Sequence, residues 1–315
     1  MSANFQRPEV IKQRDWYLKH PAELKRAINN SVAYIAYIYQ ACRLHNLPTE
    51  LALLPMIESD FNPFFYSSGG ASGLWQLTPR TALIYGLHES WWYASRRDIL
   101  LSTHVALQRL SNLHHQFGNW YFALAAYNLG STAVENIINK NREQGQPVSF
   151  WSIAWPGKAK QCVIKLLAVS SIISDWEKYP GLFPRLSDQV LFSPVVLKYQ
   201  LGLSSVSKIT GDSVNLLRYL NPALRRQINS DTGSYTLLLP AHSVSLFKER
   251  MKQRSGSIYT NWIYHKVMTG ETLTRLASDF HSTVDKLKQM NRLSSVEVRP
   301  GQSLLVPVVV NSAYP

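Results

Sequence analysis

Acid is scarce in this 315-residue chain: 20 Asp and Glu stand against 33 Lys and Arg, a formal net charge of +13. A surface so basic favours a polyanionic partner: nucleic acid, anionic lipid or an acidic wall polymer. Charge alone does not choose among them, but no dense Arg/Lys helix or zinc spacing supports nucleic acid. Cysteine is scarcer still. Cys42 and Cys162 are the only two, which excludes a disulfide framework and a metal cluster. Each lies on an apolar helical pattern and reads as a small buried residue; two cysteines do not fix the redox compartment. No apolar stretch reaches about 18 residues, so no transmembrane helix is expected. Residues 1–7 have neither the apolar core of a signal peptide nor a cysteine for lipid attachment. The expectation is an export signal outside this sequence, or an atypical route.

What is present is a globular composition, 45% hydrophobic and 17% charged, with room for one sizeable domain and one or two small ones. Residues 22–46 predict one long helix, with Ala27, Ile28, Ile35, Ile38, Tyr39 and Cys42 near helical spacing and Leu47-Pro48 as the stop. Thr49-Glu50 opens a shorter helix. Thr49 is a capping residue, Glu50 suits a first turn, and Leu51, Leu54 and Glu58 share one side. Pro55 limits its regularity and Asn62-Pro63 closes it. Glu58 is left near a helix end among Pro55, Ile57 and Phe61. Residues 67–73 form a loop of small residues that lets backbone approach a ligand closely. Helical patterns return at 99–117, 119–128 and 158–176.

After Pro180-Gly181 the pattern changes. Leu203, Val206, Val214, Leu217, Leu220 and Asn221 recur as Leu273, Leu276, Val284, Leu287, Met290 and Asn291, all displaced by 70 residues. A strand at 193–198 precedes the first set, and Leu237-Leu238-Leu239-Pro240 matches Leu304-Leu305-Val306-Pro307 after the second. This predicts two copies of a small strand–helix–helix–strand unit. Residues 252–257 between them read as a linker.

The chemistry converges on Glu58. A lone carboxyl in an apolar setting, with the neutral amides of Gln76 and Asn128 and no second acid in the motifs, suits proton transfer to a sugar's leaving oxygen. It does not suit metal binding, phosphate transfer or a serine triad; no metal and no cofactor are expected. Glu ionises near 4.3 in water, and burial against apolar groups raises that value. A rise to about 6, as in the best-known glycosidase, costs about 2.3 kcal/mol. Blander readings stand beside this one. Tyr127 and Asn128 also fit a helix end before Gly130; Gln76 fits an ordinary polar residue, and Trp75, Trp91 and Trp92 fit packing. Asp60, two residues from Glu58, faces elsewhere on a helix and reads as structural.

Glu58-Ser59-Asp60-Phe61, Gly73-Leu74-Trp75-Gln76 and Ala126-Tyr127-Asn128-Leu129-Gly130 resemble the signatures of family 1 lytic transglycosylases. Asp15-Trp16-Tyr17-Leu18, residues 51–63, Trp91-Trp92-Tyr93, Arg96-Arg97-Asp98 and Phe150-Trp151-Ser152 resemble the branch of the type D membrane-bound murein enzymes. The likeness covers roughly residues 10–180. It implies a lysozyme-like (SLT) domain that cuts the MurNAc–GlcNAc β-1,4 bond of peptidoglycan, with Glu58 first as acid and then as base. The sugar's own C6 hydroxyl replaces water and leaves a 1,6-anhydro end, so the two-carboxylate scheme is unnecessary. The same likeness assigns sugar binding to Ser67 and Gln76 and a place along the cleft to Tyr127 and Asn128. One departure is marked: where the family has a tyrosine supporting the catalytic Glu, this chain has Cys162, and Lys158 stands where an acid is usual. A thiol is a weak, short donor. Two other readings therefore stay open: a muramidase that admits water, and a peptidoglycan-binding protein of weak activity.

Residues 263–309 resemble a LysM module through Val267, Gly270-Glu271-Thr272-Leu273, Asn291, Pro300-Gly301-Gln302 and Leu305-Val306-Pro307. That resemblance implies binding of GlcNAc-containing chains at Gly270, Glu271 and Thr272 and the stretch after Asn291. The first copy has Gln200-Leu201-Gly202 at the corresponding turn and reads as LysM-like only. The expected fold class is α+β: a mainly α lysozyme-like domain followed by two βααβ modules. The expected organisation is an N-terminal segment 1–20, the transglycosylase domain 21–182, a degenerate module 190–245, a linker 246–262 and a LysM module 263–310. Peptidoglycan strands are the implied partner, and the bacterial cell envelope on its periplasmic side the implied location, with membrane association compatible but no anchor visible.

Overall fold

Asp98 and Gly118 bracket the longest helix of the chain, Ile99–Phe117. The Asp98 carboxylate accepts the Leu101 amide at 2.6 Å, and Gly118 turns left-handed at φ 63° to end it. The computed structural model describes residues 1–90, 93–182, 189–197, 201–225, 235–253, 259–280 and 282–310. Trp91-Trp92, Lys198 of the expected strand, Gln200 and residues 254–258 of the expected linker lie outside them. The chain forms two units: Met1–His88 with Ser95–Leu191, and Glu89–Ala94 with Phe192–Pro315.

The first unit is helical. At its centre runs Ala159–Ser174, apolar nearly all round and mostly buried, as a helix enclosed by others must be. Pro8–Lys19, Leu54–Ser59 and Trp120–Leu129 pack against it. Asn119 caps the last of these by accepting the Tyr121 amide at 2.8 Å. The long helix expected over 22–46 is instead two, Pro21–Ser31 and Ile35–Leu44. The apolar spacing runs on across the break, but Asn29-Asn30-Ser31 are residues whose side chains compete for backbone groups. Ser31 Oγ donates to Ile28 O at 2.7 Å, and Asn30 Nδ2 reaches Asp60 O at 2.9 Å.

Leu54–Ser59, which carries Glu58, follows a 3-10 turn over Thr49–Leu53 and has Pro55 in its first turn. It ends abruptly: Asp60 and Phe61 are both left-handed, at φ 52° and 54°. Each such non-glycine residue costs about 1–3 kcal/mol. Burial of the Phe61 ring, the Asn30 bond and a 2.8 Å ion pair from Arg26 to Asp60 hold the turn. Asp60 is thus structural, and Glu58 sits two residues before a fixed corner.

The second unit contains the repeat. Phe192–Leu197 pairs antiparallel with Tyr235–Pro240, and Tyr259–Lys266 with Ser303–Val310, around helix pairs Leu203–Thr210/Val214–Leu220 and Leu273–Asp279/Val284–Asn291. The repeated asparagine explains itself chemically. Asn221 donates to Leu217 O and Leu238 O at 2.8 Å each and accepts the Leu238 amide; Asn291 does the same with Leu287 and Leu305. Each amide pins a helix end to the closing strand. The helix Val244–Gln253 buries Phe247 in the first copy's core, so the expected linker begins inside a helix.

Candidate active site

Glu58 keeps partial solvent exposure at the end of its helix while dense protein surrounds the carboxyl. Burial pushes its pKa from the ordinary 4.5 up to about 7. Hydrogen bonds from Asn128 and Cys162 and the positive charges of Arg109 and Lys158 act against that rise. The Cys162 thiol points its Sγ at Glu58 Oε1 across 3.8 Å. Burial and the neighbouring carboxylate hold this thiol well above the usual range, so it stays a neutral donor. At neutral pH a large share of Glu58 carries a proton. That is the state a general acid needs.

The segments around Glu58 are tied together by short bonds. Ser59 Oγ donates to Leu74 O at 2.8 Å, fastening the Gly73-Leu74-Trp75-Gln76 turn to the Glu58 helix. Trp75 is fully buried, and its indole donates to Thr103 Oγ1 at 2.9 Å. Tyr127 is buried too, its hydroxyl donating to Trp75 O at 2.7 Å. The resemblance implies a place along the cleft for Tyr127. The structure makes it a strut between the turn and the Trp120–Leu129 helix, because its ring faces inward while the next residue, Asn128, is exposed.

Arg109 was not singled out from sequence. Its guanidinium bonds Thr81 Oγ1 and Tyr127 O at 3.0 Å each and lies 4.7 Å over the Tyr127 ring. It therefore fixes the segment that carries Asn128 and adds positive charge near Glu58. Arg109→Met is expected to raise the Glu58 pKa, moving the falling, alkaline limb of the pH–rate profile to higher pH. The wild-type chain with a limb at or above the variant's would contradict this role. Neither a spacing rule nor a motif marks Arg109; its only sequence signal is a charge amid an apolar helical face.

Of the expected sugar-binding residues, Ser67 sits on the loop before this turn and Gln76 closes the turn itself. Ser67 Oγ accepts the Ala71 amide at 3.0 Å and leaves its proton to donate. Gln76, at φ 46°, spends its amide on Gly73 O (2.8 Å) and Phe65 O (3.3 Å), which leaves its carbonyl oxygen as the group to offer. The small residues of this loop serve the protein's own packing as well. A Cβ on Gly73 would lie 2.3 Å from Arg96 O.

In the second module a groove is lined by Glu271, Thr272 and Thr274 on one side and Leu293, Ser295 and Arg299 on the other. The Glu271 carboxylate braces its own turn, accepting the Met268 amide at 2.7 Å and meeting His265 Nε2 at 2.5 Å. Those bonds lower its pKa. Thr272 caps the following helix through the Arg275 amide at 3.2 Å, and Gly270 supplies the left-handed φ of 87° that the turn needs. Among the described residues no cluster of His, Cys, Asp and Glu could hold a metal ion, and no helix is long and apolar enough to cross a membrane.

A partly open carboxyl with a raised pKa on a helical frame, followed by two βααβ modules, fits the class of glycan-cleaving enzymes. The Transglycosylase SLT domain matches residues 36–149, the LysM domain residues 265–307, and the LysM-like domain of lytic transglycosylase MltD residues 192–255. Membrane-bound lytic murein transglycosylase D of Escherichia coli K12 is 30% identical over 310 residues, 94% of this chain and 68% of that protein; its counterpart in strain O6:H1 gives the same figures. The solved lytic transglycosylase Slt of Pseudomonas aeruginosa is 22% identical, covering 47% of this chain and 25% of that one, at a TM-score of 0.36. The chain belongs to the family of membrane-bound lytic murein transglycosylase D and is a peptidoglycan lytic transglycosylase.

Proposed function

We propose that Glu58 is the single catalytic acid and base, and that the product ends in 1,6-anhydroMurNAc. Protonated Glu58 gives its proton to the glycosidic oxygen as the MurNAc C1–O bond breaks, releasing the GlcNAc hydroxyl. The resulting carboxylate takes the proton of the MurNAc C6 hydroxyl, whose oxygen bonds to C1, and Glu58 is protonated again. A nucleophile already on the substrate carries a large effective concentration. The observation that carries this reading is the company Glu58 keeps: two neutral donors, Asn128 and Cys162, and two cations, Arg109 and Lys158. Two-carboxylate hydrolysis pairs the acid with a second free carboxylate; none is among the groups that shift Glu58, and the neighbouring Asp60 is held in its ion pair with Arg26. Ser67, Gln76 and Asn128 then contact the sugars, and Gly270, Glu271 and Thr272 hold GlcNAc-containing chains at the second module, working in the cell envelope on its periplasmic side. Mass spectrometry of digested murein tests the route. Anhydro-muropeptides are the expected product, and hydrated reducing ends would replace this reading with a water-using muramidase.

The Cys162 contact favours a second element of the proposal: a site that works below its ceiling. A 3.8 Å thiol bond orients a carboxyl less firmly than a phenol does. Cys162→Tyr is expected to raise turnover, with the melting temperature as a control for the enlarged side chain. A folded variant with an unchanged rate would contradict it.

A further inference from the structure

The 70-residue offset lets the two modules be compared wall by wall. In the second module one wall of the groove is Leu293, Ser294 and Ser295. Their counterparts in the first are Ala223, Leu224 and Arg225, and all three are already engaged by Glu89–Ala94. The Ala94 amide donates to Ala223 O at 2.8 Å. Tyr93 pairs with Leu224 in an antiparallel bridge. Glu89 Oε2 accepts from Arg225 Nη2 at 2.7 Å. The Tyr93 ring packs on the first module's core and meets Tyr235 edge-on, centroids 5.9 Å apart.

The opposite wall has changed as well. Glu271 lines the second groove, whereas its counterpart Leu201 is buried in the core of the first module. Glu89, Tyr93 and Ala94 meet the wall much as a bound peptide meets an exposed edge. Its main-chain bond supplies affinity, and one aromatic and one charged side chain supply specificity.

We propose that the first module is a socket for its own chain. Glu89, Tyr93 and Ala94 occupy the place a glycan would take, so the first module reads no sugar and sugar reading falls to the second. This rests on the reading that the second module binds GlcNAc chains. The socket itself rests on the four contacts above alone.

Hydrogen–deuterium exchange on the full chain, with and without tetra-N-acetylchitotetraose, separates the two. Without sugar, the Ala94 amide is expected to exchange roughly a hundredfold or more slower than an open amide. Added sugar is expected to protect peptides over 270–274 and 292–299 and to leave 201–205 and 221–225 unchanged. Fast exchange at Ala94, or sugar protection at 221–225 matching that at 292–299, would overturn the socket. Protection at neither module, with Ala94 still slow, would overturn only the assignment of the second module. The double variant Glu89→Ala, Tyr93→Ala should speed Ala94 exchange at least about tenfold. An unchanged rate there also counts against the proposal, and the wild-type readings decide it if that variant does not fold.

Discussion

Glu58→Gln is expected to lower the rate of murein cleavage by a hundredfold to ten-thousandfold, the usual contribution of a positioned general acid. Binding to whole sacculi should be unchanged, because the second module's groove contains none of the residues around Glu58. The same substitution is expected to stabilise the fold in alkaline solution. Glu58 loses its proton near pH 7 in the folded chain, against an ordinary value of 4.5. A carboxyl with a raised folded pKa contributes fully below the unfolded value and withdraws that contribution as pH rises through the folded one. Between pH 4.5 and 7 the folded chain therefore loses at most about 3 kcal/mol on account of this group. Gln keeps the shape and has nothing to ionise. The variant should melt at the same temperature as the parent at pH 4 and higher at pH 8, measured by calorimetry. A variant that cuts like the parent, or melts lower at pH 8, contradicts the role given to Glu58.

Gly73→Ala is expected to cost at least about 3 kcal/mol, a drop on the order of ten degrees in melting temperature. Two effects combine. Gly73 is left-handed at φ 81°, and an added Cβ would lie 2.3 Å from Arg96 O and 3.2 Å from Arg97 Cα, both backbone atoms. The backbone at 96–97 is not free to retreat. Arg96 Nη1 is bonded to Gly70 O at 2.6 Å and Leu77 O at 3.1 Å, and Arg97 Nε to Ser72 Oγ at 3.1 Å. Gly86 provides the control: its φ is 73°, but nothing lies within 4 Å of an added Cβ. Gly86→Ala should cost only about 1 kcal/mol, the left-handed backbone alone. Equal losses at the two positions would show that the close approach at Gly73 contributes nothing.

The elements that were legible from sequence are those whose causes are local. Asp98 and Gly118 bracket Ile99–Phe117 because a cap and a left-handed stop act on the adjacent turn. The repeated modules were visible because a βααβ unit packs its own neighbours, so its apolar positions return at one offset. The apolar neighbours of Glu58 within its own helix and turn, Pro55, Ile57 and Phe61, were visible in the sequence, whereas Asn128 and Cys162, which bond it, come from distant segments. What escaped was set by contacts distant along the chain. The break after Ser31 is held in part by Asn30 reaching Asp60, and Arg109 acts through Thr81 and Tyr127, 28 and 18 residues away. Tyr127 shows the limit of a motif. Adjacent residues of a helix face different ways, so in Ala126-Tyr127-Asn128 the Tyr127 ring is buried while Asn128 is exposed. The attachment of Glu89–Ala94 to the second unit depends on a pair 136 residues apart, which no periodicity reveals.

The claim on which the mechanism turns is that Glu58 holds a proton near neutrality, and its own titration measures that directly. Carbon-13 NMR of glutamate-δ-labelled protein, with Glu58→Gln to assign the signal, should follow one carboxyl through a midpoint near pH 7. A midpoint near the ordinary 4.5 would leave the site without a proton to donate at neutral pH and would contradict the account.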